Sequence, residues 1–390
     1  MEKAYSYRFY PTSEQESLLR RTLGCVRLVY NKALHERTQA WYESQERMGY
    51  NQTSSMLTGW KKQEDLEFLN EVSCVPLQQT LRHLQTAFTN FFAGRAKYPS
   101  FKKKRNGGSA EFTKSAFKFK DGQIYIAKCI EPLPIRWSRQ IPSGCEPSSI
   151  TIRFHPSGRW HVSIRFDDPT IKPLPATDKA IGVDLGINSL IVTSNGDKIS
   201  NPKHLKKYYH RLRQAQKSLF RKQKGSKNRD KARIKLAKIH AKITETRKDH
   251  LHKLTTQLVR ENQTIVVEDL AVKNMVKNPK LAQAISDASW GEITRQLNYK
   301  CLWYGRNYIE IDRWFPSSKR CSCCGYIVEK MPLNIREWDC PNCGSHHDSD
   351  VNAGKNILAA GLAVSVCGAT VRPEQSKSVK AGAKKQKPKS

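Results

Sequence analysis

The spacing of apolar side chains in the first part of the chain predicts one strand followed by two helices. Residues 3–10 alternate between polar and apolar positions, as a strand does, and Pro11 ends the run. Thr12 and Gln15 resemble a capping box. Apolar residues then follow at helical spacing: Leu18, Leu19, Leu23, Val26, Val29, Tyr30 and Leu34. A second helix is predicted from Leu77 to Phe92, with its leucines and rings on one face.

Short alternating segments with turns between them predict a β-rich, barrel-like region over residues 112–168. Residues 149–154 and 160–166 are two such strands, and a Pro-Ser-Gly turn separates them. A Pro-containing linker is predicted over residues 169–177. The pattern then changes, because residues 180–187 form a continuous apolar run that is typical of a buried strand.

Two of the apolar strands in the second half of the chain carry a carboxylate. Asp184 lies within the run 180–187, and residues 189–193 predict the next strand before an Asn-Gly turn. Residues 264–270 predict another buried strand, with Glu268 near its end. A carboxylate in a buried strand costs several kcal/mol unless it is compensated. A Lys or Arg partner is one form of compensation, and a metal ion is the other.

Residues 201–260 predict a helical hairpin with one apolar seam and strongly basic outer faces. They carry 20 Lys and Arg against 3 Asp and Glu. Because like charges on neighbouring helical turns repel, we expect a phosphate backbone to contact these faces rather than solvent alone. The seam residues are Leu205, Tyr208, Leu212, Ala215, Leu219, Leu236, Ile239, Ile243, His250, Leu254 and Leu258. An amphipathic helix over residues 281–306, a strand from Tyr308 to Ile311 and a helix beginning at Val351 complete the pattern.

The composition predicts a polyanionic partner. The 390 residues carry 68 Lys and Arg against 35 Asp and Glu, a formal net charge of +33. Nucleic acid is the expected partner of such an excess. The length allows two or three domains. The N-terminus has no apolar signal core, and the low-charge run 357–370 is too short to span a bilayer. We therefore expect an intracellular protein without a membrane partner.

Four of the eleven cysteines have the spacing of a structural zinc site. They form two Cys-x-x-Cys pairs separated by fifteen residues: Cys321, Cys324, Cys340 and Cys343. Cys323 adjoins Cys324, but the spacing of the pair favours Cys324 as the ligand. The other cysteines are scattered, which is expected of metal binding in a reducing compartment rather than of a disulfide framework.

Three carboxylates far apart in the chain are candidates for a shared metal site. Asp184, Glu268 and Asp350 are 84 and 82 residues apart, and each falls where a strand or a helix N-terminus would present it. A strand hairpin, a later strand and a helix start are the elements from which RNase H-like nucleases assemble a two-metal site. Mg²⁺ prefers such oxygen ligands. The alternatives are a salt-bridged Asp184, a solvent-facing Glu268 and an Asp350 that only caps its helix.

Two polar segments in the N-terminal half are candidates for nucleic-acid contact. Residues 50–55 form a polar tract whose Asn and Gln can pair with adenine edges, although such a tract is also typical of a helix cap. Residues 97–105 form a basic loop with two aromatic rings that we expect to contact phosphates. The candidate residues are Tyr50, Gln52, Ser54, Gln78, Lys102, Lys103, Lys104 and Arg105.

The order of these motifs resembles TnpB, the transposon-encoded RNA-guided DNA endonuclease family related to type V CRISPR effectors. The resemblance covers nearly the whole chain. It rests on residues 182–187 (Gly-Val-Asp-Leu-Gly-Ile), 268–270 (Glu-Asp-Leu), the four cysteines, 347–353 (His-Asp-Ser-Asp-Val-Asn-Ala), 28–31 and 316–319. The chain departs from the family at Ser349, where Arg is frequent, and in the extra Cys323.

The resemblance implies a multidomain α/β and β fold, in which an RNase H-like (RuvC-like) nuclease domain carries a zinc ribbon. A β-barrel wedge domain would be interrupted by a helical recognition domain. The implied boundaries are 1–11 and 96–175 for the wedge domain, 12–95 for the recognition domain, 178–316 and 345–368 for the nuclease domain with its hairpin at 201–260, 317–344 for the zinc ribbon and 369–390 for a disordered basic tail.

The resemblance also implies an activity and its cofactors. Asp184, Glu268 and Asp350 would form a Mg²⁺-binding catalytic triad, with Asp348 as the alternative for the third position, and the zinc ion would be structural. A guide RNA from the transposon end would pair with one strand of double-stranded target DNA, while the protein reads a short flanking motif. The expected protein is prokaryotic, cytoplasmic and nucleoid-associated, and a monomer in its ribonucleoprotein. A guided repressor that does not cut and a transposase-like DNA-binding protein without RNA remain the alternatives.

Overall fold

The computed structural model describes residues 1–332 and 335–366, and contacts divide this part of the chain into two units. Unit 1 contains residues 1–171 and 208–245, and unit 2 contains residues 172–207 and the described residues from 246 onward. The basic tail that we predicted at 369–390 lies outside the described residues. No helix within 1–332 and 335–366 is long and apolar enough to cross a membrane.

Unit 1 combines antiparallel strands with a group of helices near its N-terminus. Its strands are β1 (Glu2–Phe9), β2 (Gly108–Thr113), β3 (Phe117–Lys120), β4 (Gln123–Ile126), β5 (Ile135–Arg136), β6 (Pro147–Phe154) and β7 (Trp160–Asp167). Its first helices are α1 (Ser13–Ser44), α2 (Tyr50–Trp60) and α3 (Cys74–Phe92), with short 3-10 helices at Glu64–Asn70, Lys104–Asn106 and Lys114–Ala116.

The first strand of the chain joins a sheet formed much later in the sequence. The order is β2-β6-β7-β1-β5, and β1 pairs antiparallel with β7 from Glu2 opposite Asp167 to Phe9 opposite Trp160. Strands β3 and β4 form a separate hairpin. The predicted strand before Pro11 and the β-rich region are therefore confirmed. The inward side chains of this sheet are almost fully buried: Tyr7, Phe9, Phe112, Ile150, Ile152, Val162, Ile164 and Phe166.

The helices of unit 1 begin where the capping pattern predicted. Thr12 Oγ1 accepts a hydrogen bond from Gln15 N, and Gln15 Oε1 accepts one from Thr12 N, so the capping box before α1 is confirmed. The predicted second helix is α3, which starts three residues earlier than expected, at Cys74. The polar tract at residues 50–55 forms the first half of α2.

The basic segment forms the predicted pair of helices, α4 (His204–Phe220) and α5 (Lys227–Glu261). Leu212 and Ala215 of α4 and Ile243 of α5 are buried seam positions in unit 1. Leu254 and Leu258, further along α5, are buried in the core of unit 2. The apolar spacing of both helices is thus used for packing.

Unit 2 is built on a mixed five-stranded sheet. Its strands are β8 (Ala180–Asp184), β9 (Ser189–Thr193), β10 (Lys198–Ser200), β11 (Thr264–Glu268) and β12 (Asn307–Ile311), in the order β10-β9-β8-β11-β12. β8, β11 and β12 run parallel, whereas β9 and β10 are antiparallel to their neighbours. The remaining elements are α6 (Val272–Met275), α7 (Ala282–Ala288), α8 (Trp290–Tyr304), β13 (Glu337–Asp339), β14 (His346–Asp348) and α9 (Ser349–Val366).

The prediction of a single helix over residues 281–306 is wrong, because the chain forms two helices there. Ser289 has φ +57 and ψ 43, a left-handed conformation that cannot continue a right-handed helix. α7 therefore ends at Ala288 and α8 begins at Trp290, whose ring is buried and whose Nε1 donates to the Gly186 carbonyl oxygen. The apolar period continues across the break, which is why spacing alone does not detect it.

Side chains along β8 and β11 point alternately to the two faces of the sheet, and helices pack on both faces. Ile181, Val183, Ile265 and Val267 pack into a core that includes side chains of α5 and α8. Val266 lies on the opposite face, in a cluster with Ile357 of α9. Gly182 lies on that second face too, and it permits a very close approach of α9. A Cβ atom on Gly182 would lie 2.1 Å from the Gly354 carbonyl oxygen.

Candidate active site

Asp184 and Glu268 end two neighbouring parallel strands at the same edge of the sheet. The register of β8 and β11 pairs Gly182 with Val266 and Val183 with Val267, so the next residues along the two strands are Asp184 and Glu268. Residues in register on parallel strands face the same side. Because Gly182 and Val266 face α9, the two carboxylates are also on the α9 side of the sheet.

Asp350 reaches this edge from the first turn of α9. Asp350 and Gly354 are four residues apart and therefore share one face of the helix. Gly354 packs on Gly182, two residues before Asp184 in β8. One turn further back along α9, Asp350 lies toward the end of that strand. The structure thus brings together three side chains that are 84 and 82 residues apart in the chain.

The electrostatics of Asp184 reflect this convergence. Burial raises its pKa to about 7, and the negative charges of Glu268 and Asp350 act in the same direction. Burial also raises the pKa of Glu268, although a hydrogen bond from the Ser317 hydroxyl opposes the shift. Each carboxylate is only partly accessible to solvent. The alternative of a solvent-facing Glu268 is therefore wrong.

One basic side chain enters the cluster from the segment before β13. Arg336 Nη1 donates to Asp350 Oδ1 at 3.0 Å, and the same guanidinium lowers the pKa of Asp184 slightly against the larger opposing effects. The Ser349 N–H also donates to the Arg336 carbonyl oxygen, at 2.8 Å. Sequence reasoning missed Arg336 because only the fold brings it beside Asp350.

Asp348, the alternative for the third position, has another role. Its Oδ1 accepts a hydrogen bond from Val351 N at 3.0 Å, so Asp348 caps the N-terminus of α9. Lys198 donates to its other carboxylate oxygen. Burial alone would raise the pKa of Asp348, but these hydrogen bonds outweigh burial and lower it. The alternative of an Asp350 that only caps its helix is wrong, because Asp350 is already the second residue of α9.

The four cysteines form the predicted metal-binding group. Among the described residues, Cys321, Cys324, Cys340 and Cys343 are the group whose ligand atoms all lie within 4.8 Å of one another. The Sγ atoms of Cys321 and Cys343 are 3.7 Å apart, and those of Cys324 and Cys340 are 3.6 Å apart. A tetrahedron of thiolates around zinc, with Zn–S bonds of about 2.3 Å, has edges of about 3.8 Å. The thiols therefore fit a zinc ion, and Cys323 is outside the group.

Two glycines shape the loops that present these thiols. Gly325 and Gly344 follow the two Cys-x-x-Cys pairs with φ +79 and +70, where a side chain would be strained. Their N–H groups donate to the Cys321 and Cys340 carbonyl oxygens at 2.9 and 2.8 Å. Each pair is thus a tight turn whose two sulfurs face the same point.

Two buried asparagines connect α9 to the start of residues 317–344, which contain the four cysteines and are called the zinc module below. Asn352 Oδ1 accepts from Ser322 N at 2.9 Å, and its Nδ2 donates to the Arg320 carbonyl oxygen at 2.7 Å. Asn356 Nδ2 donates to the carbonyl oxygens of Ser317 and Arg320, at 2.8 and 2.5 Å. Because Asp350 is on the same helix, these bonds link the position of the carboxylate to the zinc module.

The predicted nucleic-acid contacts of unit 1 divide into two kinds. Gln52 Oε1 accepts from Gly49 N, and Arg82 lies 4.5 Å above the Tyr50 ring, so these two side chains stabilise α2 and its neighbours. Lys102 lies 4.0 Å from the Tyr30 ring centroid. Ser54 is half-buried. The exposed candidates are Gln52, Gln78, Lys102, Lys103, Lys104 and Arg105. Nucleic-acid binding by these residues remains a prediction.

A basic groove lies between α4 and α5 within unit 1. Its volume is about 620 Å³. Arg211 of α4 and Lys235, Lys238 and Lys242 of α5 line it, together with polar and small side chains. A groove with this lining is suited to contact a phosphate backbone.

Models of known families match three parts of the chain. The model described as "Probable transposase" (OrfB of IS605) matches residues 161–279, and "Cas12f1-like, TNB domain" matches residues 290–357, which include the four cysteines. A third model, "Helix-turn-helix domain", matches residues 1–46. In this chain that segment is strand β1 followed by one uninterrupted helix, Ser13–Ser44.

The chain is similar over nearly its whole length to curated proteins. It is 58% identical to a Streptomyces pristinaespiralis protein named "Putative RNA-guided DNA endonuclease", over 97% of this chain and 94% of that protein. It is 30% identical to "Putative RNA-guided DNA endonuclease InsQ" of Escherichia coli K12, over 95% of each chain.

One solved structure has a comparable fold. The protein of a Cas12f1–sgRNA–target DNA complex superposes with a TM-score of 0.59 over 92% of this chain and 98% of that one, at 13% identity. At that identity, the likeness concerns the fold alone. The full-length match to the Streptomyces protein, together with the models over residues 161–279 and 290–357, identifies this chain as a member of the TnpB family.

Proposed function

We propose that this chain is an RNA-guided DNA endonuclease that hydrolyses phosphodiester bonds at Asp184, Glu268 and Asp350. The observation that carries the proposal is the meeting of these carboxylates at one edge of the unit 2 sheet. It occurs in a chain that is 58% identical to a protein of that name.

The carboxylate cluster is suited to divalent metal ions. The negative charges of Glu268 and Asp350 add to burial in raising the pKa of Asp184, and Arg336 is a basic side chain that pairs with Asp350. The three carboxylates do not form a group as close as the four thiols, within the described residues. Carboxylate oxygens are the ligands that Mg²⁺ prefers. When bound, Mg²⁺ would activate the attacking water and stabilise the leaving oxygen.

The protein's own groups would orient these carboxylates. Ser317 donates to Glu268 and fixes its rotamer, and Arg336 does the same for Asp350. The close packing of Gly182 on Gly354 sets the separation between β8 and α9. The zinc module acts on the site through Asn352 and Asn356, so its role is structural.

Guide RNA and target DNA would bind through phosphate contacts. The net charge of +33, the groove between α4 and α5, and the exposed Lys103, Lys104 and Arg105 supply the positive surface. A transposase-like DNA-binding protein without RNA is the alternative function. A helix-turn-helix would favour that alternative, but α1 contains no turn.

The test is to isolate the protein from cells that carry its native locus and to sequence the RNA that copurifies. The purified complex is then incubated with plasmid DNA that matches the guide, with and without Mg²⁺. We expect the wild-type complex to cut the plasmid only when Mg²⁺ is present. The Asp184→Ala complex should retain its RNA but should not cut. A complex without RNA, or an Asp184→Ala complex that cuts at the normal rate, would contradict the proposal.

A further inference from the structure

Trp314 is an exposed indole beside the candidate active site. Its side chain lies in the loop between β12 and the zinc module and is 84% exposed. An indole buries a large apolar area in most proteins. An indole left almost wholly in solvent offers that apolar area to a ligand.

The loop holds the backbone of Trp314 in a defined turn. Trp314 N donates to Asp312 Oδ1 at 2.8 Å, and Phe315 N donates to the Asp312 carbonyl oxygen at 3.1 Å, which closes a tight turn. The neighbouring Phe315 packs against the cluster of Val266, Ile309, Ile311 and Ile357. One ring of the Trp-Phe pair thus anchors the turn in the core, and the other is held outside.

Both sides of the turn are tied to the end of β11. Arg313, just before Trp314, pairs with Asp269, and Ser317, three residues after it, donates to Glu268. Asn356 of α9 also donates to the Ser317 carbonyl oxygen. The turn that carries Trp314 is therefore tied on both sides to the edge where Asp184, Glu268 and Asp350 meet.

We propose that Trp314 stacks on an unpaired base of the DNA strand whose phosphate lies at the three carboxylates. The inference rests on the proposed function and adds the side chain that contacts a base of the strand next to the cut. A base in a duplex has both faces covered by its neighbours, whereas an unpaired base offers a face to an aromatic ring. Stacking of this kind accepts every base, as a guided nuclease requires.

The test uses complexes of the full chain with its guide RNA. The variants are Trp314→Ala, Trp314→Phe and, as a control for loss of exposed apolar surface in unit 2, Leu302→Ala, whose side chain is 50% exposed on α8. Substrates are single strands complementary to the guide, each with one abasic nucleotide at successive positions around the cut. Zinc content and melting temperature verify that each variant is folded.

We expect the wild-type rate to fall about tenfold when the abasic nucleotide is at one particular position. The Trp314→Ala complex should cut the intact strand about tenfold more slowly than wild type. An abasic nucleotide at that position should not slow the variant any further. Trp314→Phe should keep most of the rate, and Leu302→Ala all of it.

Two results would overturn the inference while leaving the proposed function intact. One is a Trp314→Ala complex that cuts the intact strand as fast as wild type. The other is an abasic effect of equal size in wild type and Trp314→Ala. A wild-type complex that cuts no DNA would instead refute the proposed function, and the inference would fall with it.

Discussion

Gly182 of β8 and Gly354 of α9 are in direct backbone contact, and neither strand nor helix could approach so closely with a side chain between them. A Cβ atom on Gly182 would meet the Gly354 carbonyl oxygen at 2.1 Å and the Leu358 nitrogen at 2.7 Å. This contact fixes the height of α9 above the sheet. The height in turn decides where Asp350 lies relative to Asp184.

Gly182→Ala should therefore displace α9 and weaken both the fold and cleavage. Overpacking of this kind costs about 1–3 kcal/mol, and the added methyl group meets backbone atoms that cannot rotate away. Urea unfolding measures the loss, and a plasmid-cleavage assay measures the activity. Gly291→Ala in α8 is the matched control, because nothing lies within 4 Å of a Cβ atom there. Equal stability of the two variants would contradict the role assigned to the contact.

The stability of the magnesium-free protein should depend on pH through Asp184. Burial and neighbouring charges raise the pKa of Asp184 from 3.8 to about 7 in the folded chain. A raised pKa means that the folded state favours the protonated form, so stability is lost as pH rises from about 4 to 7. Asp184→Asn should remove this part of the decline. Unfolding in urea at pH 5 and pH 8 tests it, with the exposed Asp230→Asn as the control; a decline equal in all three proteins would exclude the effect.

Zinc binding should distinguish two adjacent cysteines. Cys324→Ser removes a ligand of the four-thiol group, whereas Cys323→Ser changes an exposed neighbour outside it. We expect Cys324→Ser to lose zinc, to melt at a lower temperature and to lose cleavage, because structural zinc contributes directly to folding. Metal analysis and thermal melting of both variants are the measurements. Loss of zinc from Cys323→Ser instead would reverse the ligand assignment.

Asn352→Ala should weaken the link between α9 and the zinc module. The substitution leaves the partly buried Ser322 N–H without its acceptor, at a cost of about 1–3 kcal/mol, while the Arg320 carbonyl oxygen keeps its hydrogen bond from Asn356. We expect lower stability and slower cleavage, with zinc still bound. Lys355→Ala, at an exposed position of the same helix, is the control. An Asn352→Ala protein as stable and active as Lys355→Ala would show that the link is dispensable.

The groove between α4 and α5 should contribute to RNA affinity through charge. Replacing Lys235 and Lys238 by Ala removes two exposed positive charges from the groove. If both contact phosphates, the logarithm of RNA affinity should depend less steeply on the logarithm of salt concentration, with a slope reduced by about 2. Filter binding over a salt series measures this slope. Replacing both lysines by Arg should leave the slope unchanged. An unchanged slope in the double Ala variant would show that the groove does not contact RNA.

The parts of the fold that depend on nearby residues were predictable. Cys-x-x-Cys spacing identified the four thiols that lie close together, and the apolar runs identified β8 and β11, because each signal lies within a few residues. The meeting of Asp184 with Glu268 followed from the resemblance and not from the spacing itself. The split at Ser289 was missed because one backbone conformation interrupts a continuous apolar period. Arg336 and Asn352 were missed because their contacts depend on where distant segments fold.

In the sequence, the hairpin of α4 and α5 comes between β8 and β11, but it does not set the register in which these two strands pair. β8 and β11 pair through their own backbones, and the chain between them departs after β10 and returns at Thr264. The entropy of closing a longer loop rises only slowly with its length. The turn around Gly225, between the two helices, is therefore a natural insertion point for a fluorescent protein or a second enzyme. A fusion built there would leave the pairing of β8 with β11 undisturbed.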